Sequence, residues 1–190
     1  MQTPKKNYMN KRLLIITGLL LLAAISRMVP HPYNFAPIGA MSLFGAAYFS
    51  NKKLAFILPL LAFFISDLLV NNILYADYYT GFVFISPGFY WTYGAMIAIV
   101  LAGIIILKKI NFKRIIGGAL SASVIFFVVS NFGVWLTSPM YDLSISGFIA
   151  CYIAAIPFFH MTVLGDLFYC GVLFGLFEFA KYKVPELKVA

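Results

Sequence analysis

PHPYNFAPIGAMSLFGAAYFSNKKLAFILPLLAFFISDLL, residues 30–69, decides the fold class. It passes from a proline- and aromatic-rich loop into a short apolar span, a Lys52-Lys53 turn and a longer apolar span that carries Asp67. Pro30, Pro32 and Pro37 forbid a continuous helix at its start, because each ring fixes φ and removes a backbone N–H. Gly39, Ala40, Gly45, Ala46 and Ala47 leave the next span small on much of its surface, so a neighbouring helix can approach closely. Asp67 has no other charge in its run. A charge at such a place costs about 2.5–3.5 kcal/mol on insertion scales, which makes Asp67 a functional candidate.

Composition carries the same message. Hydrophobic residues make up 63% of the 190 and charged residues only 11%, far more apolar side chain than a soluble domain of this size needs. The apolar runs are continuous rather than alternating, which excludes a β-barrel pattern and predicts an all-α membrane protein forming one bundle over residues 1–190. The net charge of +8 does not indicate nucleic acid, because the basic residues fall in short clusters between apolar runs, as they do where charge orients a membrane protein. Cys151 and Cys170 lie in apolar surroundings without metal-ligand spacing and read as small buried hydrophobes. No metal or other cofactor is expected.

Working outward from residues 30–69, the pattern predicts six spans, at about 13–29, 37–49, 54–75, 93–107, 115–136 and 159–180. The first also resembles a signal peptide, with Ala24-Ile25-Ser26 as a cleavage site, but its apolar run is long enough to be kept as a helix. Residues 76–91 form an aromatic linker whose Tyr90 and Trp91 suit a membrane–water boundary. Ser146–Pro157 is too short to span alone and predicts a short surface or re-entrant helix before the last span. The sixth span carries His160, Asp166 and a Gly171/Gly175 pair. With both termini inside, the internal segments hold 13 of the 14 Lys and Arg, and Arg27 alone lies outside. This asymmetry sets the expected orientation.

Asp67 and Asp166 are expected at similar depth, about 10 Å below the outer boundary at ~1.5 Å rise per residue. Their settings, PLLAFFISDLL and PFFHMTVLGDLF, suggest a weak inverted repeat, an arrangement that places transporter sites at the repeat interface. Two such carboxyls raise the alternative of an intramembrane aspartyl enzyme. Val163-Leu164-Gly165-Asp166 lacks the first glycine of the GxGD motif such enzymes carry. Each Asp has an equally simple structural reading, as an acceptor of hydrogen bonds that hold the bundle. His31, Tyr33, Asn34 and Phe35 in the first outer loop, together with Tyr90, Trp91 and His160, are polar and aromatic groups that could converge on a small molecule. Neither GxxxxGK[ST] nor HExxH nor GxSxG occurs. A multi-pass subunit with no ligand at all is the third reading.

GAMSLFGAAYFSNKKLAFILPLLAFFISDLL and AAIPFFHMTVLGDLFYCGVLFG resemble the S component of energy-coupling factor (ECF) transporters, the small membrane subunit that captures vitamins and similar micronutrients, and in particular a group whose substrate is unassigned. The resemblance covers most of the chain. It implies a non-enzymatic substrate-binding subunit in the bacterial inner membrane, with a cavity near the outer face gated by the loop Pro30–Pro37. It further implies a separate transmembrane coupling subunit and ATPase subunits as partners. S components commonly dock through an AxxxA-like face of span one; here that span offers Gly18, Ala23, Ala24 and Ser26 and no AxxxA.

Overall fold

The computed structural model describes the backbone of residues 5–188 and the side chains of residues 11–187. The basic residues Lys5, Lys6 and Lys188 therefore fall outside the described side chains. The described chain is helical: α1 (Lys5–Ile25), α2 (Ile38–Tyr48), α3 (Lys52–Leu69), α4 (Phe89–Ile106), α5 (Phe112–Thr137) and α6 (Ile145–Lys183), with short 3-10 turns between them. Four elements are long and apolar enough to cross a membrane: α3 with its π-helical extension to Leu74, then α4, α5 and α6. Their outward faces carry large exposed apolar side chains such as Ile57, Leu101, Val124, Ile153 and Phe168. Apolar surface on that scale suits contact with lipid rather than water.

The bundle is built around its shortest helix. α2 has 11 residues, about 16 Å at 1.5 Å per residue, and buries nine of them. A helix that is apolar all round belongs inside, and α2 touches every other helix. Its small residues make that closeness available. A Cβ on Gly45 would fall 2.4 Å from the Pro59 ring of α3, and one on Gly103 of α4 would fall 2.8 Å from Ala46 of α2. Around this axis Phe44, Tyr48, Phe174 and Phe177 form an edge-to-face cluster joining α2 to α6.

α1 packs through Ile16, Leu20, Ala23 and Ala24, all buried. In the stretch that resembles a cleavage site, Ala24 is buried and Ile25 exposed, while Ser26 Oγ donates to the Ala23 carbonyl at 2.7 Å and lies 3.0 Å from the Tyr169 hydroxyl of α6. α3, α5 and α6 begin on side-chain caps, with Asn51, Asn111 and Ser144 accepting from the amides of Lys53, Arg114 and Gly147. Beyond α3, Asn72 clasps the aromatic linker, exchanging two hydrogen bonds with the backbone of Val83 at 2.9 and 2.7 Å.

One expectation is corrected. Ser146–Pro157 and the last span are not separate elements but a single 39-residue helix with Pro157 inside it. Proline removes one N–H and leaves the Ile153 carbonyl without its usual partner, which ordinarily breaks a helix. Here packing on α5 spans the weak point. The Phe127 ring lies 5.8 Å from Tyr152 on one side of Pro157 and 4.9 Å from Phe159 on the other. Tyr152 also donates to the Val128 carbonyl at 2.7 Å. At about 58 Å, α6 is nearly twice the ~30 Å thickness of a hydrocarbon core.

The close approaches of α2 give a direct test. Gly45→Leu and Gly103→Leu should each lower stability in detergent by about 1–3 kcal/mol or more through overpacking. Gly94→Leu, where an added Cβ meets nothing within 4 Å, should leave thermal unfolding unchanged. Equal behaviour of all three variants would show that α2 is not the tightly packed axis.

Candidate functional site

Two ends of the bundle differ in chemistry. At one end Arg12 donates to the carbonyls of Tyr48 (3.2 Å) and Leu187 (3.5 Å), Tyr48 donates to Glu178, and Lys181 pairs with Glu178 at 2.8 Å. The Lys52-Lys53 turn follows α2 directly at this end. The other end begins at the loop 30–37 and has few charges.

At that second end a cavity of about 400 Å3 opens between the second half of α5 and the first half of α6. Its walls are aromatic, with Phe126, Phe127, Phe158 and Phe159, and its polar groups are Asn34, Ser130, Asn131, Tyr141 and Thr162. Among the described residues, no Asp, Glu, Lys, Arg or His lines it. Ser130 and Asn131 donate to the carbonyls of Phe126 and Phe127 one turn earlier, at 2.6 and 2.8 Å. Those bonds hold the two side chains against the helix and leave the Asn131 amide oxygen as an acceptor. Beside it an aromatic ladder, Trp135 to Phe148 to Tyr152, joins α5 to α6, and Trp135 Nε1 donates to the Asp142 carbonyl at 3.0 Å.

Asn34 is the one member of the sequence-derived set that lines this cavity. It is also the one non-glycine residue with positive φ, 63°, among the described residues, a conformation Asn tolerates better than most. His31 and Tyr33 beside it are exposed, and His31 Nδ1 lies 3.0 Å from the Pro32 carbonyl. Phe35 turns inward, 5.5 Å from Phe168 and 5.7 Å from Tyr169. The loop is seated there on Gly165, where an added Cβ would approach the Ala36 amide nitrogen to 3.0 Å. His160 and Tyr90 are exposed. Trp91 packs edge-on to Phe132, 5.4 Å between centroids, and its ring covers Gly133.

The two aspartates serve different helices. Asp166 is 2% exposed and accepts from the Ala40 N–H at 3.2 Å and from the Ser123 hydroxyl at 2.7 Å. Asp67 takes Arg27 at 2.7 Å and the Tyr93 hydroxyl at 2.9 Å. Arg27 also donates to Ser66 at 2.6 Å and lies 4.0 Å from the centre of the Phe63 ring. Among the described residues the two carboxyls share no hydrogen-bond partner. The residues that sequence reasoning passed over are Ser130, Asn131, Tyr141 and Thr162. Ser130-Asn131, the only adjacent polar pair inside the apolar fifth span, was the available signal.

A helical bundle with four membrane-length apolar helices and an uncharged aromatic cavity belongs to the class of multi-pass membrane proteins. The chain belongs to DUF6580, a family of unknown function whose model matches residues 7–187. No curated protein and no solved structure matches it.

The Arg27–Asp67 pair is largely buried, with side-chain exposures of 14% and 15%. Removing one partner of such a pair leaves the other uncompensated, while replacing both with apolar groups is often close to neutral. Arg27→Met should therefore cost roughly 3 kcal/mol in a stability assay, and Arg27→Met with Asp67→Leu should recover most of it. A double variant as damaged as the single would show that pairing is not what these residues supply.

Proposed function

We propose that this protein is the substrate-capture subunit of an ECF-type micronutrient uptake system in the bacterial inner membrane. The observation that carries the reading is the cavity beneath the first loop. Its volume lies in the range of small-molecule sites, and its wall combines aromatic faces with a few hydrogen-bonding groups. A lining without charge suits an uncharged molecule, because an ion would leave water there without a counter-charge. Asn34 supplies both a donor and an acceptor at the rim and is carried by a loop stiffened by prolines, which lose less freedom on closing.

In this reading the protein crosses the membrane six times with both termini inside. The basic end of the bundle supports that orientation, since Arg12, Lys52, Lys53, Lys181 and the Lys108–Arg114 turn face the side that retains positive charge. α2 is then a short, buried crossing whose 11 residues link the outer loop to the basic end. The chain carries no phosphate-binding loop, so accumulation against a gradient would rest on a coupling subunit and ATPases. The separate partners of Asp67 and Asp166 speak against the aspartyl-enzyme alternative, which needs two carboxyls on one proton.

Mass spectrometry of small molecules that co-purify with the protein tests capture. Wild type should carry a compound at least about tenfold enriched over Ala155→Phe, a variant that fills the cavity. Once that compound is known, Asn34→Ala should weaken binding by about one to two orders of magnitude, the cost of a lost buried hydrogen bond. The same ligand load on Ala155→Phe, or none on wild type, would end the proposal. Orientation is tested separately: in intact cells a cysteine at Lys109 should resist an impermeant thiol reagent and one at Asp77 should react.

A further inference from the structure

A second cavity, about 500 Å3, lies at the basic end between the start of α5 and the last turns of α6. We propose that this groove seats one anionic phospholipid, with an acyl chain along its apolar wall and the phosphate at its basic rim. The inference is independent of what the other cavity binds.

The wall is long and apolar, formed by Ile115 and Ile116 of α5 and by Leu167, Gly171, Phe174 and Gly175 of α6. An added Cβ on Gly171 or Gly175 would meet nothing within 4 Å, so the groove owes its depth to the missing side chains. The turn that gives Ile110, Asn111 and Phe112 to the lining also carries Lys108, Lys109, Lys113 and Arg114 beside them, and none of the four forms a salt bridge among the described residues. Arg114 spends one N–H on the Ile106 carbonyl at 3.1 Å. Asn111 on the lining accepts from the Arg114 amide through Oδ1, which leaves its NH2 group free to donate at the rim. The one carboxyl on the lining, Glu178, is already matched: Lys181 Nζ lies 2.8 and 2.9 Å from its two oxygens, and Tyr48 donates to it. The lining is therefore charge-matched, and the unpaired charge that flanks it, on the Lys108–Arg114 turn, is positive.

An apolar trough that ends in unpaired cations is complementary to a lipid with a negative headgroup. A zwitterionic lipid offers the same chain but no net charge. Basic pockets between membrane helices recognise anionic headgroups in this way, each nearby Lys or Arg strengthening the hold about fivefold. A helix of a partner or of a second copy would fill the apolar wall and leave the cations unanswered.

Native mass spectrometry of the full chain, released from membranes containing equal phosphatidylglycerol and phosphatidylcholine, reads the outcome. Wild type should retain one phosphatidylglycerol through activation that strips phosphatidylcholine. The triple variant K108Q/K109Q/K113Q, changed only at exposed positions, should lose that preference by more than about tenfold. Gly171→Leu puts a side chain into the groove where an added Cβ meets nothing within 4 Å, and should lose the retained lipid while leaving the surface charge intact. Equal retention of both lipids by wild type, or full retention by Gly171→Leu, would overturn the proposal. So would a dimer that carries no lipid.

Discussion

The N-terminus of α2 is a buried problem that Asp166 solves. A helix leaves its first amides without intrahelical partners, and those groups cannot be left bare in an apolar interior without a cost of about 1–3 kcal/mol each. α2 starts deep in the bundle, just after Pro37, which has no N–H to satisfy, and its first internal bond is Met41 N–H to the Pro37 carbonyl at 2.8 Å. Pro37 offers no capping side chain. The missing acceptor comes from another helix: Asp166 of α6 receives the Ala40 amide and the Ser123 hydroxyl of α5. One carboxyl thus ties three helices at one point. Gly39 makes it reachable, since a Cβ there would fall 2.4 Å from the Asp166 oxygen. A carboxyl at a helix N-terminus also meets the positive end of the helix dipole.

The same knot sets the geometry of the outer end. Gly165, beside Asp166, carries the backbone of Phe35 and Ala36, which fixes where the loop 30–37 crosses α6. Thr162 lies one turn earlier on α6 and lines the uncharged cavity with Asn34. The arginine knot, Arg27 with Asp67, Ser66 and Tyr93, joins the end of α1 to α3 and α4 on the opposite flank of α2. Polar contacts are few in this protein, and they fall where helices must be held in register.

Much of the architecture was legible because apolar run length and basic clusters are one-dimensional signals. The spans at 37–49, 54–75 and 115–136 coincide closely with α2, α3 and α5. The helix at 145–183 was not, because Pro157 reads locally as a break and the rings that bridge it come from α5. Asp166 and Asp67 stood out as lone carboxyls in apolar runs, the first buried and the second half-buried, but their partners lie 126 and 40 residues away, and no spacing rule links them. Arg27, read only as the one basic residue outside the internal segments, is the counter-ion of Asp67. The cavity itself was hidden for a related reason. Its polar members are single residues in apolar helices, and only the packing of α5 on α6 shows which of them share a space.

Hydrogen–deuterium exchange across α2 tests most directly whether the Asp166 knot holds the centre of the bundle. In Asp166→Ala, the amides of residues 38–46 and of the loop 30–37 should lose protection together, while those of α4 stay as in wild type. In Asp67→Ala, α2 should keep its protection. If α2 and the loop remain fully protected in Asp166→Ala, the short central helix is held by packing alone, and the role assigned to this carboxyl is contradicted.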